Sequence, residues 1–301
     1  MAVESSIADL KAALERTAEA LQRKLNHLLP RADGPDGRLC DAMRYATLDG
    51  GKRMRPFLVV TSAEMFGVGR EAALRTAAAV ECLHSYSLVH DDLPCMDDDD
   101  IRRGKPATHK AFDEATAILA GDALLTLAFE ILGDERTHPD PRVRAELMRS
   151  LAVAAGCRGM VGGQMMDLMA ETQNFDLMTV TRLQQLKTGA LISFAAESGA
   201  ILGRTNGVKR QALRYYAHDM GLAYQIADDL LDVDGDEAVL GKTPGKDARA
   251  GKATLVSVLG KERARMQAEM LTEQAIAHLD PFDDKAALLH ALARFAINRD
   301  R

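Results

Sequence analysis

Residues 71–100 read EAALRTAAAVECLHSYSLVHDDLPCMDDDD. The stretch begins dense in Ala and Leu, which lose little freedom on becoming helical, so the pattern predicts a long helix from Glu71 to about Asp97. It ends dense in Asp. Pro94 stands between the acids and cannot continue the helical hydrogen-bond ladder. A six-residue step from Asp91 to Asp97 also misses the same face of an ideal helix. The chain must therefore bend or widen here if Asp91 and Asp97 are to share a metal ion.

Outward from this stretch the chain reads as helix after helix. Ile7, Leu10, Leu14, Leu21, Leu25 and Leu28 form an apolar stripe at helical spacing between Glu4 and Leu29. PRADGPDG at 30–37 interrupts it with two prolines and two glycines. Further helices are expected over Leu39–Leu48, Lys52–Phe66, Glu114–Leu132, Arg142–Ala170, Val180–Leu202 and Lys209–Asp234, with two or three more between Ala253 and Asn298. Alternating β-branched runs are scarce. The expectation is an all-α fold, one helical bundle over residues 1–301, with Gly34–Gly37, Gly104–Pro106 and Asp234–Gly251 as loops. The last of these is charged and glycine-rich, suited to closing over a site.

Composition narrows the function. An apolar fraction of 47% suits a substantial core, and a formal net charge of −6 offers nothing broad to nucleic acid. The N-terminal segment reads as an amphipathic helix rather than a signal peptide. No uninterrupted apolar run of about 20 residues suggests a membrane span. Cys40, Cys82, Cys95 and Cys157 match neither a zinc pattern nor a disulfide framework, so reduced thiols and a cytoplasmic location are expected.

A second acid cluster is DDLLD, Asp228-Asp229-Leu230-Leu231-Asp232. Asp228 and Asp232 are four apart and share a helix face. Ile226, Leu230, Leu231 and Val233 flank it, as Leu88, Val89 and Leu93 flank the first. Solvated helix ends would explain either cluster alone. Two such clusters in apolar helices point instead to hard divalent ions, Mg²⁺ above all, bridging to diphosphate oxygens. Cations accompany both. GGKRMRP supplies Gly50, Gly51, Lys52, Arg53 and Arg55, which read either as a charged turn or as a diphosphate cradle, and not as a P-loop. Arg102, Arg103 and Lys105 follow the first cluster. Lys187 precedes Thr188 in QLKTGALI, and Lys242, Lys246 and Lys252 follow the second cluster. His84 is placed to hold a second substrate or to serve as an ordinary core or surface histidine. Gln225, three residues before Asp228, is placed to contribute an amide oxygen.

Together these segments resemble the bacterial short-chain trans-prenyl diphosphate synthases, most of all those of the farnesyl diphosphate synthase (geranyltranstransferase) type. HDDLPCMDDDDIRRGKPATH resembles the family's first aspartate-rich motif and YQIADDLLDVDGD the second. GGKRMRP, GGQMMDL and LKTGALI complete the set, over roughly positions 50 to 252. The resemblance implies the isoprenoid synthase bundle around a central cavity, a homodimer, and Mg²⁺, three ions with bound allylic diphosphate, with Mn²⁺ as a substitute. It implies that Asp91, Asp92 and Asp97, and Asp228, Asp229 and Asp232, bind metal. Arg102, Lys187 and Lys242 would reach the allylic diphosphate. Gly51, Lys52, Arg55, His84 and Arg103 would hold isopentenyl diphosphate, with Lys252 also among the substrate-binding groups. Thr188, Gln225 and the Lys187 carbonyl would stabilise a carbocation. Tyr86, with the small Ser87 beside it, would floor the product cavity and favour a fifteen-carbon product. Rival readings are a geranyl or geranylgeranyl diphosphate synthase, a terpene cyclase, and a noncatalytic helical subunit.

Overall fold

The computed structural model describes residues 7–48, 50–205, 207–234 and 254–298, without the side chains of Asp232 and Asp234. Helices run in chain order as α1 (Ile7–Leu28), α2 (Gly37–Thr47), α3 (Met54–Met65), α4 (Arg70–Asp91), α5 (Thr108–Ala111), α6 (Glu114–Gly133), α7 (Pro141–Ala155), α8 (Met160–Ala170), α9 (Leu177–Gln184), α10 (Ala190–Leu202), α11 (Val208–Asp234), α12 (Leu255–Leu259), α13 (Lys261–Ala277) and α14 (Ala287–Ile297). A π turn (Gln185–Gly189) separates α9 from α10, and a 3₁₀ segment (Asp280–Ala286) precedes α14. The fold is all-α. Its β structure, among the described residues, is a ribbon of two-residue strands, β1 (Ile101–Arg102) and β2 (Lys105–Pro106).

Local chemistry explains the boundaries. The helix expected to reach Asp97 ends at Asp91, because Pro94 has no N–H to give and disfavours helical backbone before it. The expected loop 104–106 is instead a hairpin, pairing Ile101 with Pro106 and Arg102 with Lys105. Its two central residues, Arg103 and Gly104, have φ of 54° and 77°, as a type I′ turn requires. The single helix expected over Arg142–Ala170 breaks between Ala155 and Met160, at Gly-Cys-Arg-Gly. Asp113 begins α6 by accepting the Thr116 N–H at 2.7 Å, and Arg38 and this cap together hold its carboxyl at about 2. Thr254 and Ser257 form a reciprocal cap for α12.

The described residues divide into two compact units. The first holds Ala12–Met148 with Ile201–Arg204, and α4 against α6 is its main packing. Alanines make that approach close: Ala73, Ala77, Ala78 and Ala79 on α4, and Ala117, Ala120 and Ala128 on α6, are all buried. Val89, Leu93 and Ala117 form an apolar cluster under the first acid motif. By length and composition α6 could cross a membrane, which amends the expectation that no such run exists, although 44% of its apolar window is buried in the protein.

The second unit holds the described residues among 1–11, 149–200 and 205–301, and is built on α11 against α13. Ile226 and Leu230 of α11 join Leu255, Val256, Ala264, Ala268 and Leu271 in one core. Val233 does not belong to it, being 47% exposed. Tyr216 is fully buried and donates its hydroxyl to the Leu289 carbonyl at 2.9 Å. All four cysteines are free, with Cys40 and Cys82 buried.

Tyr216→Phe removes that buried hydrogen bond while leaving the ring in place. Thermal or urea unfolding should show a loss of about 1–2 kcal/mol; an unchanged midpoint would mean that the hydroxyl contributes nothing net.

Candidate active site

In the first unit the acid motif folds back on itself. Past the end of α4, Asp97 donates its backbone N–H to the Asp91 carbonyl at 2.9 Å, Asp98 to Leu93 at 3.2 Å, and Asp99 to Asp92 at 3.2 Å. The required bend is present: Asp97 returns to Asp91 through a loop, not along a helix face. Asp92 is buried, and both its oxygens face Arg102, whose Nε reaches Oδ1 at 2.9 Å and Oδ2 at 3.2 Å. Arg102 Nη2 also meets Asp92 and lies 3.1 Å from Asp99. Burial pushes the Asp92 carboxyl up and the guanidinium works against it. The fork keeps Arg102 charged.

The basic segment builds a second cluster in the same unit. Glu81, buried in the Ala-rich interior of α4, accepts from Arg53 and, at 2.9 Å, from Arg103. Arg53 also donates to the Thr47 and Leu48 carbonyls, each at 2.8 Å. Gly50 and Gly51 have φ of 80° and 85°, and a Cβ on Gly51 would stand 3.0 Å from the Arg103 guanidinium. The turn thus lies over Arg103 in a backbone conformation that glycine adopts without strain. Arg55 Nη1 is 3.4 Å from His84 Nε2. Burial and the nearby Arg55, Arg103, Arg53 and Arg102 hold His84 well below its ordinary 6.5, so it is neutral and can accept from Arg55. Gly51, Arg55, His84 and Arg103 are brought together; Lys52 is exposed at the rim. Glu81 was not among the expected site residues, and Arg53, expected within the GGKRMRP cradle, turns inward to it. The available signal was one acid inside an otherwise apolar helix.

Tyr86 stacks edge-on against His90 with centroids 5.1 Å apart. Burial and the carboxylates of Asp91 and Asp122 raise its hydroxyl pKa. Ser87 donates to the His84 carbonyl at 2.8 Å, within its own helix. Asp98, Asp100 and His109 place ligand atoms within 4.8 Å of one another, a group capable of coordinating a metal ion.

In the second unit the π turn carries Lys187 and Thr188. Lys187 Nζ meets Asp167 of α8 at 2.7 Å. A Cβ on Gly163 would fall 2.2 Å from the Lys187 backbone nitrogen, so the turn sits where only glycine leaves room. Those two contacts give GGQMMDL a physical task, which its sequence alone does not disclose. Thr188 Oγ1 donates to Gln225 Oε1 at 3.3 Å, and Gln225 Nε2 donates to Asp229 Oδ1 at 3.0 Å. Gln225 is therefore tied to Asp229, one turn on, rather than to Asp228. Asp229 is buried and Asp228 partly exposed. Lys242, Lys246 and Lys252 lie outside the described residues, as do all but the first residue of the expected loop Asp234–Gly251 and the Asp232 side chain. A cavity of about 180 Å³ beside the π turn, lined by Gln184, Gln185, Gly189, Ala190, Ser193, His218 and Leu222, contains none of the motif acids.

His84 gives the site a pH signature. The unfolded chain takes up a proton near 6.5 and the folded chain resists it to lower pH, so stability is full above that value and falls as pH drops through it. Wild-type protein should lose more unfolding free energy between about pH 8 and about pH 5 than His84→Gln. Parallel losses would show that His84 titrates normally.

The family model described as Polyprenyl synthetase matches residues 36–292. Farnesyl diphosphate synthase of Escherichia coli (strain K12) is 44% identical over 297 residues, 97% of this chain and 98% of the relative. Geranylgeranyl pyrophosphate synthase 11, chloroplastic, of Arabidopsis thaliana is also 44% identical, over 97% of this chain and 82% of its own. A crystal structure of an FPP/GFPP synthase from Zymomonas mobilis superposes with a TM-score of 0.89 at 53% identity, covering 97% of this chain and all of that one. The chain belongs to the polyprenyl synthetase family, as a short-chain trans-prenyl diphosphate synthase, an enzyme of head-to-tail isoprenoid chain elongation.

Proposed function

We propose that the enzyme couples isopentenyl diphosphate to dimethylallyl diphosphate and then to geranyl diphosphate, and stops mainly at farnesyl diphosphate. The observation that carries this reading is the presence, in one unit, of two differently built sets. One is an acid loop in which Asp97 returns to Asp91. The other is a nitrogen-rich set of Gly51, Arg55, His84 and Arg103. The first suits a diphosphate bridged through metal; the second suits one held directly by donors. Chain elongation takes one diphosphate of each kind.

Asp91, Asp92 and Asp97, with Asp228, Asp229 and Asp232, offer the hard oxygen donors that magnesium prefers, and we assign them three ions with bound allylic diphosphate, manganese being a substitute. When bound, magnesium supplies positive charge against the leaving pyrophosphate. The chain's own groups do the rest. Arg102, Lys187 and Lys242 offset charge on the allylic diphosphate as its C–O bond breaks. Thr188, the Gln225 amide oxygen and the Lys187 carbonyl stabilise the allylic cation. Gly51, Lys52, Arg55, His84 and Arg103 hold isopentenyl diphosphate while its alkene electrons form the new C–C bond; Lys252 is a further substrate contact. The proton then lost goes to the released pyrophosphate, so no dedicated base is needed. Apolar helix surface keeps out water that would trap the cation. We take residues 1–301 to act as one domain, because the family match runs unbroken through both units. The resemblance implies a homodimer, and the cysteine pattern points to a cytoplasmic location.

The endpoint rests on Tyr86 and Ser87. A geranylgeranyl endpoint is the second reading, favoured by equal identity to relatives named for either product. Purified protein with Mg²⁺, isopentenyl diphosphate and each allylic starter should give mainly the fifteen-carbon product from both dimethylallyl and geranyl diphosphate. Tyr86→Ala should lengthen the product; an unchanged endpoint would remove Tyr86 as the barrier. Asp91→Ala and Asp228→Ala should each lower turnover at least about 10²-fold with the helical circular dichroism intact. Near-normal turnover in either would refute its role in binding metal.

A further inference from the structure

The end of the first aspartate-rich motif, HDDLPCMDDDDIRRGKPATH, holds a group to which the proposed prenyl transfer gives no role. The β1–β2 hairpin turns the chain back, and Ala107 donates its N–H to the Asp100 carbonyl at 2.8 Å. This sets Thr108–Ala111 against the end of the aspartate run. His109 arrives there 6% exposed, and neither ring nitrogen has a hydrogen-bond partner. A buried imidazole left so costs free energy that a bound group can recover. A nitrogen of this ring lies with oxygens of Asp98 and Asp100 in a set whose members are all within 4.8 Å. Both aspartates are exposed, so an ion among them would retain water on its open side.

We propose that Asp98, Asp100 and His109 form a binding site for one divalent transition-metal cation, separate from the carboxylates assigned to magnesium. The donor set decides the class. Carboxylates accept magnesium, calcium or manganese, and an imidazole nitrogen moves preference toward zinc and the other later transition metals, with manganese still accepted by the two carboxylates and usable as a paramagnetic probe. Asp98 and Asp100 precede the hairpin and His109 follows it. A cation held by all three clips together the two ends of the ribbon that carries Arg102 and Arg103. The competitor is Lys110, whose Nζ is 2.8 Å from Asp100 Oδ1. That pair is exposed on both sides, at 44% and 72%, and such pairs exchange at little cost.

The test uses the whole chain with Mn²⁺ alone and no diphosphate, read by electron spin-echo envelope modulation, which detects nitrogen bonded to the ion. Magnesium-type sites of carboxylate oxygen give no such signal. Wild-type protein should show nitrogen modulation. Asp91→Asn should keep it, and His109→Gln should lose it. Asp100→Asn changes an exposed group and leaves the buried ring in place; it should raise about tenfold or more the Mn²⁺ concentration at which the nitrogen modulation appears. Absence of nitrogen modulation at saturating Mn²⁺ overturns the site. So does its persistence in His109→Gln, its loss in Asp91→Asn, or its appearance at an unchanged Mn²⁺ concentration in Asp100→Asn. Turnover is a separate measurement, so failure of the prenyl-transfer reading would leave the nitrogen signal standing.

Discussion

Charge carried into apolar helices must be answered by opposite charge, and that constraint organises this molecule. An unpaired buried ion costs several kcal/mol, a large share of a domain's net stability. Among the buried carboxylates, three meet the condition with cations of the sequence motifs. Glu81 is shared by Arg53 and Arg103. Asp92 is gripped by Arg102. Asp167 takes Lys187. Each partner is also a cation of a sequence motif, so the pairs that make the folded charges tolerable also hold the site's cations in place.

This arrangement suits an enzyme whose substrates are polyanions. Arginines already oriented by a buried carboxylate lose little freedom when a diphosphate arrives, and orientation in advance is what electrostatic catalysis requires. The π turn applies the same principle to backbone. Gly163 lets α8 approach Lys187, Asp167 fixes the ammonium, and Thr188 is left on a chain of hydrogen bonds through Gln225 to Asp229. A regular helix through 185–189 would point its carbonyls into its own ladder; the wider turn changes that bonding locally.

Much of this was legible in the residues. Ala-rich and Leu-rich periodicity marked most helices within a few positions, because local propensity and a single buried stripe agree there. Both acid motifs and GGKRMRP stood out since clustered charge in apolar surroundings is uncommon. Boundaries were less legible. The break of Arg142–Ala170 near Gly156–Gly159 and the hairpin at 101–106 rest on local glycines whose effect the periodicity does not show, while the π turn depends on what packs against it. Glu81 and Asp167 escaped notice for the same reason: an acid inside a helix has no visible partner until arginine or lysine arrives from a distant segment.

The sequence by itself determined the all-α class, the chemistry of the motifs and the need for the chain to bend after Asp91, since proline and helical periodicity act over a few residues. Tertiary structure alone decided that Asp92 belongs to Arg102, that Glu81 gathers two arginines, and that His109 returns to Asp98 and Asp100. Of these, the arginines on Glu81 join residues 22 and 28 apart. Pairings across a fold depend on packing geometry, which no local propensity encodes.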